Sequence, residues 1–414
     1  MNPKKEQYPN VSIYNRILRS QFLQRLRIMY WVIDAILIPL CDIANFISRF
    51  FTKDSCENRK ENILIIMNIA VGDCVLFLSS ANEYRKMFPQ EKYNLCIACQ
   101  KQNASLFEGV FDCIIPLDFV KGCVSIPARF KNYRTLRTRS FSTVIDPIGC
   151  ADCTTNIFAT NAAKGKVKIG ILDNSIVKYS CPQRIRNAIY TKIYSIEEQN
   201  LHRILFYSKL PSLMQNKNLT AHVYTFPQFD SASVPNEKYF IVFPCASLKA
   251  KMWPMQKFAQ ITDRLYEQLG IKLCVCGTEK DRKDILEFLG FIDKDIPTIN
   301  LIGQTSIKDF IEIIGGAECV LTNDTGAMHI AAAKNVPSFV IAGGFSYGRF
   351  TNYENIDCVK PVLICHKDDC FNCNNYCKFS FKENYPCIEN ISVDYAWSII
   401  EPELMRIKQR FLNA

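Results

Sequence analysis

An aspartate stands where an apolar, strand-like run turns into a helical pattern. Asp73 follows the run at 62–67 and comes directly after Gly72, a residue that permits a tight turn. A carboxylate at the carboxyl end of a strand can act as a general base on a hydroxyl group. Taken alone, this turn favours the simpler interpretation that Asp73 caps the helix.

Two further groups of polar residues occupy the same kind of position later in the chain. In the first, Ser247 and Lys251 follow the apolar run at 239–243 and precede Pro254, which is suited to a helix start. A hydroxyl, a lysine and free backbone N–H groups at such a turn can bind a diphosphate. The P-loop pattern is absent from this segment, so the signal is weak by itself.

The other group lies at 322–329, again between a strand-like run and a helical pattern. Asp324 can accept hydrogen bonds from sugar hydroxyls. The N–H groups at Thr325 and Gly326 begin a helix, and the helix dipole favours an anion there. His329, one turn further, either reaches that anion or is a packed histidine bonded to a backbone carbonyl. The sequence leaves both interpretations open.

Basic residues are concentrated in the first half of the chain. The formal net charge is +10, from 50 basic and 40 acidic residues. Residues 1–27 hold six basic side chains and one acidic side chain, and a second cluster spans 121–139. Such a surface attracts the phosphates of nucleic acid, anionic lipid or a phosphorylated glycan, and a solvated face is the alternative. The candidates for binding in the second cluster are Arg129, Lys131, Arg134 and Arg137.

The composition indicates a globular protein of two or three domains. The chain has 414 residues, of which 48% are hydrophobic and 22% charged, which argues against a disordered chain, a collagen or a multi-span membrane protein. Many of the 20 cysteines fall in apolar runs, where they behave as buried hydrophobic residues. No signal-peptide cleavage pattern closes the apolar stretch at 28–41. We therefore expect the protein to reside in a reducing cytoplasm.

Residues 16–52 form a helical pattern with a broad apolar face and one polar stripe. Asp34 and Asp42 interrupt the apolar stretch, and Pro39 would kink it, so the segment is poorly suited to span a bilayer. Because a basic segment precedes it, the pattern favours a helix that lies in the membrane interface. The alternative is a helix packed on the protein's own body or on a second subunit.

From residue 60 onward, short apolar runs alternate with helical patterns, which is typical of a parallel α/β sheet. A polar stretch at 210–237 divides two such repeats, each the size of a Rossmann-like domain. The predicted strands are 62–67, 93–99, 112–116, 142–146, 167–172, 239–243, 271–276, 298–302, 318–321 and 337–342. The predicted helices are 74–88, 127–138, 193–209, 254–269, 279–290, 306–315, 326–334 and 391–411.

The three polar groups together resemble the motifs of glycosyltransferase family 9, the heptosyltransferases of lipopolysaccharide core assembly. The family opens with a strand and a Gly-Asp turn, matched by 63–73. Its second element reads roughly H-P-G-A-S and then K-x-W-P, matched by 243–247 (FPCAS) and 251–254 (KMWP). Its third element, D-T-G-x-x-H followed by V-P, is matched by 324–329 (DTGAMH) and 336–337. The order and spacing hold over about 61–405.

The resemblance implies the GT-B architecture, an α/β fold of two Rossmann-like domains that face each other across a cleft. Here the fold would carry an N-terminal amphipathic helical extension at 1–60. We expect an acceptor domain at 61–235 and a nucleotide-sugar donor domain at 236–390, which includes a cysteine-rich segment at 365–387. The remaining residues, 391–414, form a predicted helix that can cross back to the first domain.

Carried over residue by residue, the resemblance implies that Asp73 is the general base, which reverses the preference for a cap. Cys245 stands where the family usually has glycine, so close backbone approach to a phosphate is left open there. The segment 345–349 is also less typical, which leaves the nucleobase and the sugar open. The residues that match the diphosphate and sugar site are Ser247, Lys251, Asp324, Thr325, Gly326 and His329.

The predicted function is an inverting glycosyltransferase. It would move a sugar, heptose from ADP-heptose by the family's default, to a hydroxyl of the lipopolysaccharide core or another lipid-linked anionic glycan. Asp73 would take the hydroxyl proton while Lys251 and the helix start stabilise the departing diphosphate, so that neither a metal nor a cofactor is expected. The basic cluster at 121–139 would help to hold the acceptor.

Two rival predictions follow from the same residues. One is a sugar-nucleotide epimerase on the same architecture, and the other is a non-catalytic glycan-binding or assembly protein at a membrane surface. A nucleic-acid partner would leave the strand-end motifs unexplained, so none is expected. We expect the protein in the cytoplasm, peripheral on the inner face of the cytoplasmic membrane through the N-terminal helix.

A cluster of cysteines near the C-terminus has the spacing C-x4-C-x2-C-x3-C, which resembles that of metal ligands. Family members carry a similar cluster, and this favours structural thiols over bound zinc or a redox role. The four cysteines are Cys365, Cys370, Cys373 and Cys377.

Overall fold

The chain forms two compact units in a computed structural model. The structure describes residues 60–122, 125–151, 155–173, 181–373 and 384–412, together with residues 40, 43, 44 and 47. The first unit holds the described residues up to Asn200 and Leu205–Thr220, and the second holds Leu201–Ile204 and the described residues from Ala221 onward. The predicted extension at 1–60 and its helix at 16–52 lie almost wholly outside the described residues. Among the described helices, none is long and apolar enough to cross a membrane.

The first unit is built on a parallel six-stranded sheet with the order β3-β2-β1-β4-β5-β6. The central strands are apolar along most of their length because both faces of the sheet are covered; residues 63–67 are each at most 1% exposed. The strands are β1 (Glu61–Met67), β2 (Tyr93–Gln100), β3 (Cys113–Leu117), β4 (Ser140–Asp146), β5 (Lys164–Asp173) and β6 (Lys192–Ile196).

Helices connect the strands of this unit. The predicted helix at 74–88 is divided in two, because the hydroxyls of Ser79 and Ser80 donate to the carbonyls of Leu76 and Phe77 and compete with the helical pattern. The helices are α1 (Val71–Leu78), α2 (Ala81–Met87), α3 (Phe119–Gly122), α4 (Ile126–Arg137), α5 (Thr155–Ala162), α6 (Gln183–Ile189) and α7 (Arg203–Gln215).

The second unit repeats this plan, with a six-stranded sheet in the order β12-β11-β10-β7-β8-β9. Every pair of neighbouring strands is parallel. The strands are β7 (Tyr239–Phe243), β8 (Lys272–Gly277), β9 (Thr298–Ile302), β10 (Val320–Asn323), β11 (Ser338–Ile341) and β12 (Val362–Ile364). The helices are α8 (Met255–Leu269), α9 (Arg282–Leu289), α10 (Ile307–Gly315), α11 (Gly326–Ala333), α12 (Pro386–Glu389) and α13 (Val393–Leu412).

The predicted strands are confirmed to within a few residues, but two edge strands are missing from the prediction. β6 overlaps the first four residues of the helix predicted at 193–209, and that part of the prediction is wrong. As an edge strand β6 is only partly buried and lacks the continuous apolar run that marks a central strand. β12 has three residues, too few to produce a pattern.

Thr220, where the first unit ends, lies inside the linker predicted at 210–237, but the first residues of that stretch are helical. α7 continues through Pro211 to Gln215, because its apolar residues, including Phe206 and Leu210, are buried. The helix predicted at 391–411 is present as α13, and it packs on α8 and β12 within the second unit. Arg264 on α8 forms an ion pair with Asp394 on α13 at 2.8 Å.

Candidate functional site

Asp73 lies in the first turn of α1, directly beyond the carboxyl end of β1. The cap position of this helix is Ala70, so Asp73 is not the capping residue. Instead, its Oδ1 accepts a hydrogen bond of 2.9 Å from the hydroxyl of Tyr207. A carboxylate in a first helical turn is also stabilised by the helix dipole. Asp73 is therefore a partly buried carboxylate, held by a tyrosine from α7.

Tyr207 is itself fixed in place by its surroundings. It is 1% exposed, and its ring meets the ring of Phe77 edge to face at a centroid distance of 5.7 Å. Such aromatic contacts favour one ring orientation. The hydroxyl that reaches Asp73 is thus presented by a rigid element of the unit.

Side-chain amides hold the turn that leads to Asp73. Asn103 donates to the carbonyl of Ile69 at 2.9 Å. Gln100 donates to Oδ1 of Asn68 at 2.9 Å, and the backbone N–H of Asn68 donates to Oδ1 of Asn156 at 3.3 Å. Backbone groups in a turn need such partners when water is excluded. The turn is therefore fixed by residues from β2, from α5 and from the 3₁₀ helix Lys101–Phe107 that follows β2.

The side-chain hydrogen bonds that begin at this turn lead through Asn156 to Asp146. The carboxyl group of Asp146 is fully buried at the end of β4. It accepts hydrogen bonds from Asn156 and from the hydroxyl of Tyr190, the latter at 2.5 Å. Burial raises the pKa of Asp146 to about 6, against these hydrogen bonds, which lower it. A carboxyl with this pKa changes its charge just below neutral pH.

The basic cluster falls mostly on α4, where the four predicted contacts divide into two kinds. Arg129 is buried, donates to the carbonyl of Gly122 at 3.3 Å, and lies over the ring of Tyr133. Arg137 is also buried, and burial lowers its pKa. Lys131 and Arg134 are exposed. Only the exposed pair presents its charge to solvent, while the other two hold the helix in the unit.

In the second unit, Lys251 and Asp324 come together. The Nζ of Lys251 lies 3.9 Å from Oδ2 of Asp324 and 4.3 Å from the centroid of the Phe345 ring. The hydroxyl of Ser346 donates to the same Oδ2 at 2.6 Å. These residues follow β7, β10 and β11, which are neighbouring strands. Their side chains therefore meet at the carboxyl ends of these strands.

Asn323 joins the two loops that carry this pair. It is fully buried, its Oδ1 accepts from the N–H of Trp253 at 3.1 Å, and its Nδ2 donates to the carbonyl of Pro244 at 2.6 Å. Both ends of the loop that contains Lys251 are thereby tied to the last residue of β10. The separation of Lys251 and Asp324 depends on this amide.

The start of α11 lies beside Asp324. Thr325 is the cap residue, and its hydroxyl accepts from the N–H of Ala327 at 3.3 Å and contacts the hydroxyl of Thr322 at 3.1 Å. Gly326 is the first residue of the helix. Backbone N–H groups and the positive end of the dipole at this point favour an anion. Lys251 and the start of α11 therefore both lie next to the carboxylate of Asp324.

His329 lies further inside α11 and is 3% exposed. Its Nδ1 is 2.7 Å from the hydroxyl of Tyr353, and burial lowers the pKa of His329 to about 3. The ring of Tyr353 in turn meets the ring of His202 edge to face, with the centroids 4.5 Å apart, and burial also lowers the pKa of His202 to about 3. His329 is thus a neutral, packed histidine at neutral pH, bonded to a hydroxyl.

Ser247 and Cys245 lie in the same loop after β7 but differ in exposure to solvent. Ser247 is exposed. Cys245 is 2% exposed, and its Sγ lies 4.0 Å from the carbonyl of Asp281 inside the unit. Burial raises the pKa of this thiol to about 12. The side chain that replaces the family's glycine is therefore turned into the protein.

The cysteine-rich segment is only partly described. Cys365, Cys370 and Cys373 are half-buried and reduced, Cys387 is buried, and Cys377 lies outside the described residues. Burial raises the pKa of Cys365. Within the described part of the chain, no three histidine, cysteine or acidic side chains are placed to hold a metal ion.

Several residues that shape the site were not predicted from the sequence. Asn323 and Ser346 lie within or just after the segments that the motifs marked, so their polar character beside a strand end was the available signal. Tyr207 and Asn103 are far from Asp73 and Ile69 in the chain and stand in no motif. Only the folding of the first unit brings them to the turn.

Comparison with known proteins identifies the family. A family model described as "Glycosyltransferase family 9 (heptosyltransferase)" matches residues 133–375, more than half of the chain. This chain belongs to glycosyltransferase family 9. The predicted family and enzyme class are confirmed. The matched range of this family 9 chain includes Lys251 and Asp324 but begins after Asp73.

Known relatives of this family 9 protein carry related names. Lipopolysaccharide heptosyltransferase 2 of Escherichia coli K12 is 25% identical over 68% of this chain and 82% of its own length. Lipooligosaccharide heptosyltransferase 2 of Haemophilus ducreyi is 35% identical over 22% of this chain. That match spans 27% of the Haemophilus protein, about a quarter of its length.

Solved structures share the fold. The structure of E. coli ADP-heptose LPS heptosyltransferase II superposes with a TM-score of 0.61 at 16% identity, over 84% of this chain and 99% of that one. A family 9 glycosyltransferase from Veillonella parvula gives a TM-score of 0.60 at 15% identity, over 85% and 100%. The predicted GT-B type α/β fold with two Rossmann-like units is confirmed.

Proposed function

We propose that this family 9 protein transfers a heptose from a nucleotide-diphosphate donor, ADP-heptose, to a hydroxyl of the lipopolysaccharide core or a related lipid-linked anionic glycan. The observation that carries the proposal is that Lys251, Asp324 and the start of α11 lie together at the carboxyl ends of strands in the second sheet. The names of the similar heptosyltransferases support the choice of sugar and acceptor.

The donor is proposed to bind in the second unit. The diphosphate would take the position in front of α11, where the N–H groups at Thr325 and Gly326 and the hydroxyl of Ser247 donate to its oxygens. Lys251 would turn from Asp324 toward the phosphates, a short movement of a flexible side chain. Asp324 would then accept hydrogen bonds from the sugar hydroxyls, with its orientation fixed by Ser346.

His329 is proposed to support the donor site as a neutral group. Its Nδ1 lies 2.7 Å from the hydroxyl of Tyr353, and both residues are buried. A neutral imidazole does not add charge to the diphosphate, so we assign the positive charge to Lys251 alone among these side chains. In this scheme a lysine and a helix start supply the stabilisation that a metal ion gives in other phosphate sites.

The reaction is proposed to invert the configuration of the sugar. Asp73 removes the proton from the acceptor hydroxyl as the oxygen bonds to the anomeric carbon. The bond between that carbon and the diphosphate breaks, and the diphosphate leaves with the electron pair. Lys251 and the start of α11 stabilise the negative charge that develops on the leaving group.

The acceptor is proposed to contact the exposed basic residues of the first unit. Lys131 and Arg134 on α4 can reach the phosphates of a glycan, while Arg129 and Arg137 hold the helix beneath them. We further propose that residues 1–27 and the helix predicted at 16–52 bring the protein to the inner face of the cytoplasmic membrane. That segment lies almost wholly outside the described residues, and its charge and apolar pattern in the sequence support this step.

Nucleotide binding gives the first test. Calorimetry of the purified chain against ADP, GDP, UDP and CDP should show selective binding of one diphosphate, ADP by this proposal. Lys251→Ala should weaken that binding by about tenfold or more, because a charge-assisted contact contributes roughly 1.5–3 kcal/mol. The matched control is Lys249→Ala, which removes an exposed lysine of the same loop that pairs with Asp284. Absence of binding to all four would overturn the proposal in favour of the non-catalytic alternative.

The base is tested separately. Asp73→Asn should reduce transfer from ADP-heptose by a factor of about a hundred or more while leaving ADP affinity unchanged, since general-base catalysis contributes roughly 10²–10⁴-fold. Transfer at the native rate in this variant would remove Asp73 as the base and would leave the donor site untouched.

A further inference from the structure

Two cysteines lie side by side at the β3 edge of the first sheet. Cys96 in β2 and Cys113, the first residue of β3, are opposite each other in the parallel register. Both are reduced, and the thiol of Cys96 lies 3.6 Å from the backbone carbonyl of Asn94. Cys96 is 3% exposed and Cys113 is half-buried, so solvent reaches one sulfur of the pair.

An arginine completes this group. Nη1 of Arg139 donates to Sγ of Cys113 at 3.4 Å. The neighbouring Cys96 thiol, followed by the guanidinium of Arg139, lowers the pKa of Cys113, against burial and the nearby charge of Asp112. Interaction with Cys113, together with burial, raises the pKa of Cys96. Cys113 is therefore the thiol of the pair that ionises first.

The sheet spacing suits a bond between them. Neighbouring strands lie about 4.7–4.9 Å apart, and the Cα atoms of a disulfide are usually about 4.4–6.8 Å apart. Residues opposite each other in the register of β2 and β3 fall in this range without strand movement. The pair can therefore close once one sulfur has been oxidised.

We propose that Cys113 and Cys96, with Arg139, form a reactive dithiol that exchanges with low-molecular-weight disulfides such as glutathione disulfide. The Cys113 thiolate attacks one sulfur of the disulfide, a new sulfur–sulfur bond forms, and one glutathione thiolate leaves. Cys96 then loses its proton to water and attacks Sγ of Cys113. The second glutathione leaves as a thiolate, so two protein thiols are oxidised and one disulfide is reduced to two thiols.

A second cysteine pair in the chain provides an internal reference. Cys274 and Cys276 lie two residues apart in β8, with their sulfurs separated by 3.8 Å. Both are fully buried, and the contact between them raises the pKa of Cys274. Both pairs bring two cysteines next to each other in a sheet, whereas partial exposure and a contacting arginine are found at Cys113. Cys274 is therefore a reference that lacks both features.

The test uses the full chain in its folded state. Labelling with iodoacetamide, followed by digestion and mass spectrometry, should show Cys113 modified at least about tenfold faster than Cys274 at pH 7, because the thiolate is the reacting species. The labelling rate of Cys113 should rise at lower pH than that of an ordinary thiol, whose pKa is about 8.5, because the pKa of Cys113 is lowered. Equal rates for Cys113 and Cys274, or a rate that first rises above about pH 8 as for an ordinary thiol, would overturn the proposal.

Exchange with glutathione disulfide tests the second step. The native chain should yield a peptide pair joined through Cys96 and Cys113, and Cys96→Ser should stop at a glutathione adduct on Cys113. Arg139→Gln should slow the first step by about threefold or more, while Lys92→Gln, an exposed lysine of the same unit, should not. A native chain that accumulates the adduct without the joined pair would remove Cys96 from the proposal.

Discussion

The hydroxyl of Tyr207 donates a 2.9 Å hydrogen bond to Oδ1 of Asp73, and so joins α7 to the first turn of α1. A hydrogen bond to a carboxylate oxygen stabilises the charged form of the carboxylate, which is the form that accepts a proton. Tyr207 thus positions the proposed base.

Replacing Tyr207 by phenylalanine should therefore lower kcat by about tenfold with little change in the donor KM. The acid side of the pH–rate profile should move to higher pH, because the carboxylate loses a hydrogen bond that stabilises its charge. Steady-state kinetics across pH checks both effects. Tyr84→Phe is the matched control, since Tyr84 is fully buried near the same Phe77 ring and its hydroxyl has no hydrogen-bond partner among the described residues. The same kinetic change in both variants would indicate a packing effect.

Asn323→Ala should weaken donor binding, because the loop that carries Lys251 loses both of its ties to β10. We expect a loss of about 2–4 kcal/mol in unfolding free energy, since a buried N–H and a buried carbonyl are left unpaired. Chemical denaturation and ADP calorimetry measure the two effects. Asn62→Ala, which removes an amide bonded to Ser140 in the first unit, should cost stability without affecting ADP affinity. Unchanged ADP binding in folded Asn323→Ala would contradict the role of the amide.

Asp146 should make the stability of the protein fall as pH rises from about 4 to about 7. Its pKa in the folded state is about 6 against 3.8 for the free side chain, so the folded state binds the proton more tightly between these values. Each pKa unit corresponds to about 1.4 kcal/mol, which gives a loss of roughly 2–3 kcal/mol over this interval. Asp146→Asn keeps a carbonyl acceptor and should remove the effect.

The measurement for Asp146 is the difference in unfolding free energy between the native chain and Asp146→Asn at a series of pH values. The variant should gain on the native chain as pH rises toward 7. A difference that stays constant with pH would show that Asp146 does not change protonation on unfolding in this range.

Lys131→Gln combined with Arg134→Gln should raise the acceptor KM several-fold while leaving ADP affinity unchanged, because these exposed residues are proposed to meet the acceptor's phosphates. The increase should shrink at high ionic strength, where exposed charges are screened. A control with the same change in charge is Lys60→Gln with Lys92→Gln, two exposed lysines next to the amino ends of β1 and β2. Equal effects of the two double variants would assign the change to net charge alone.

The sequence alone indicated the alternating plan of both units and the polar segments at their strand ends. Central parallel strands must be apolar along their length, so their positions were visible as local runs. An edge strand is not bound by this rule, and β6 is absent from the prediction for that reason, whereas β12 is too short to form a pattern. Likewise, the predicted linker begins at 210, but α7 continues through Pro211 because burial of its apolar residues outweighs the local cost of the proline.

The tertiary structure decided which polar residues share a site and in which state they are held. Tyr207 lies 134 residues from Asp73, and Asn323 lies 79 residues from Pro244, so neither bond leaves a local pattern. Arg129 and Lys131 carry the same charge on the same helix, but Arg129 is buried in the first unit and Lys131 faces solvent. Local residue types determine what chemistry is possible, whereas burial and long-range hydrogen bonds determine which groups can perform it, because both depend on how distant segments pack.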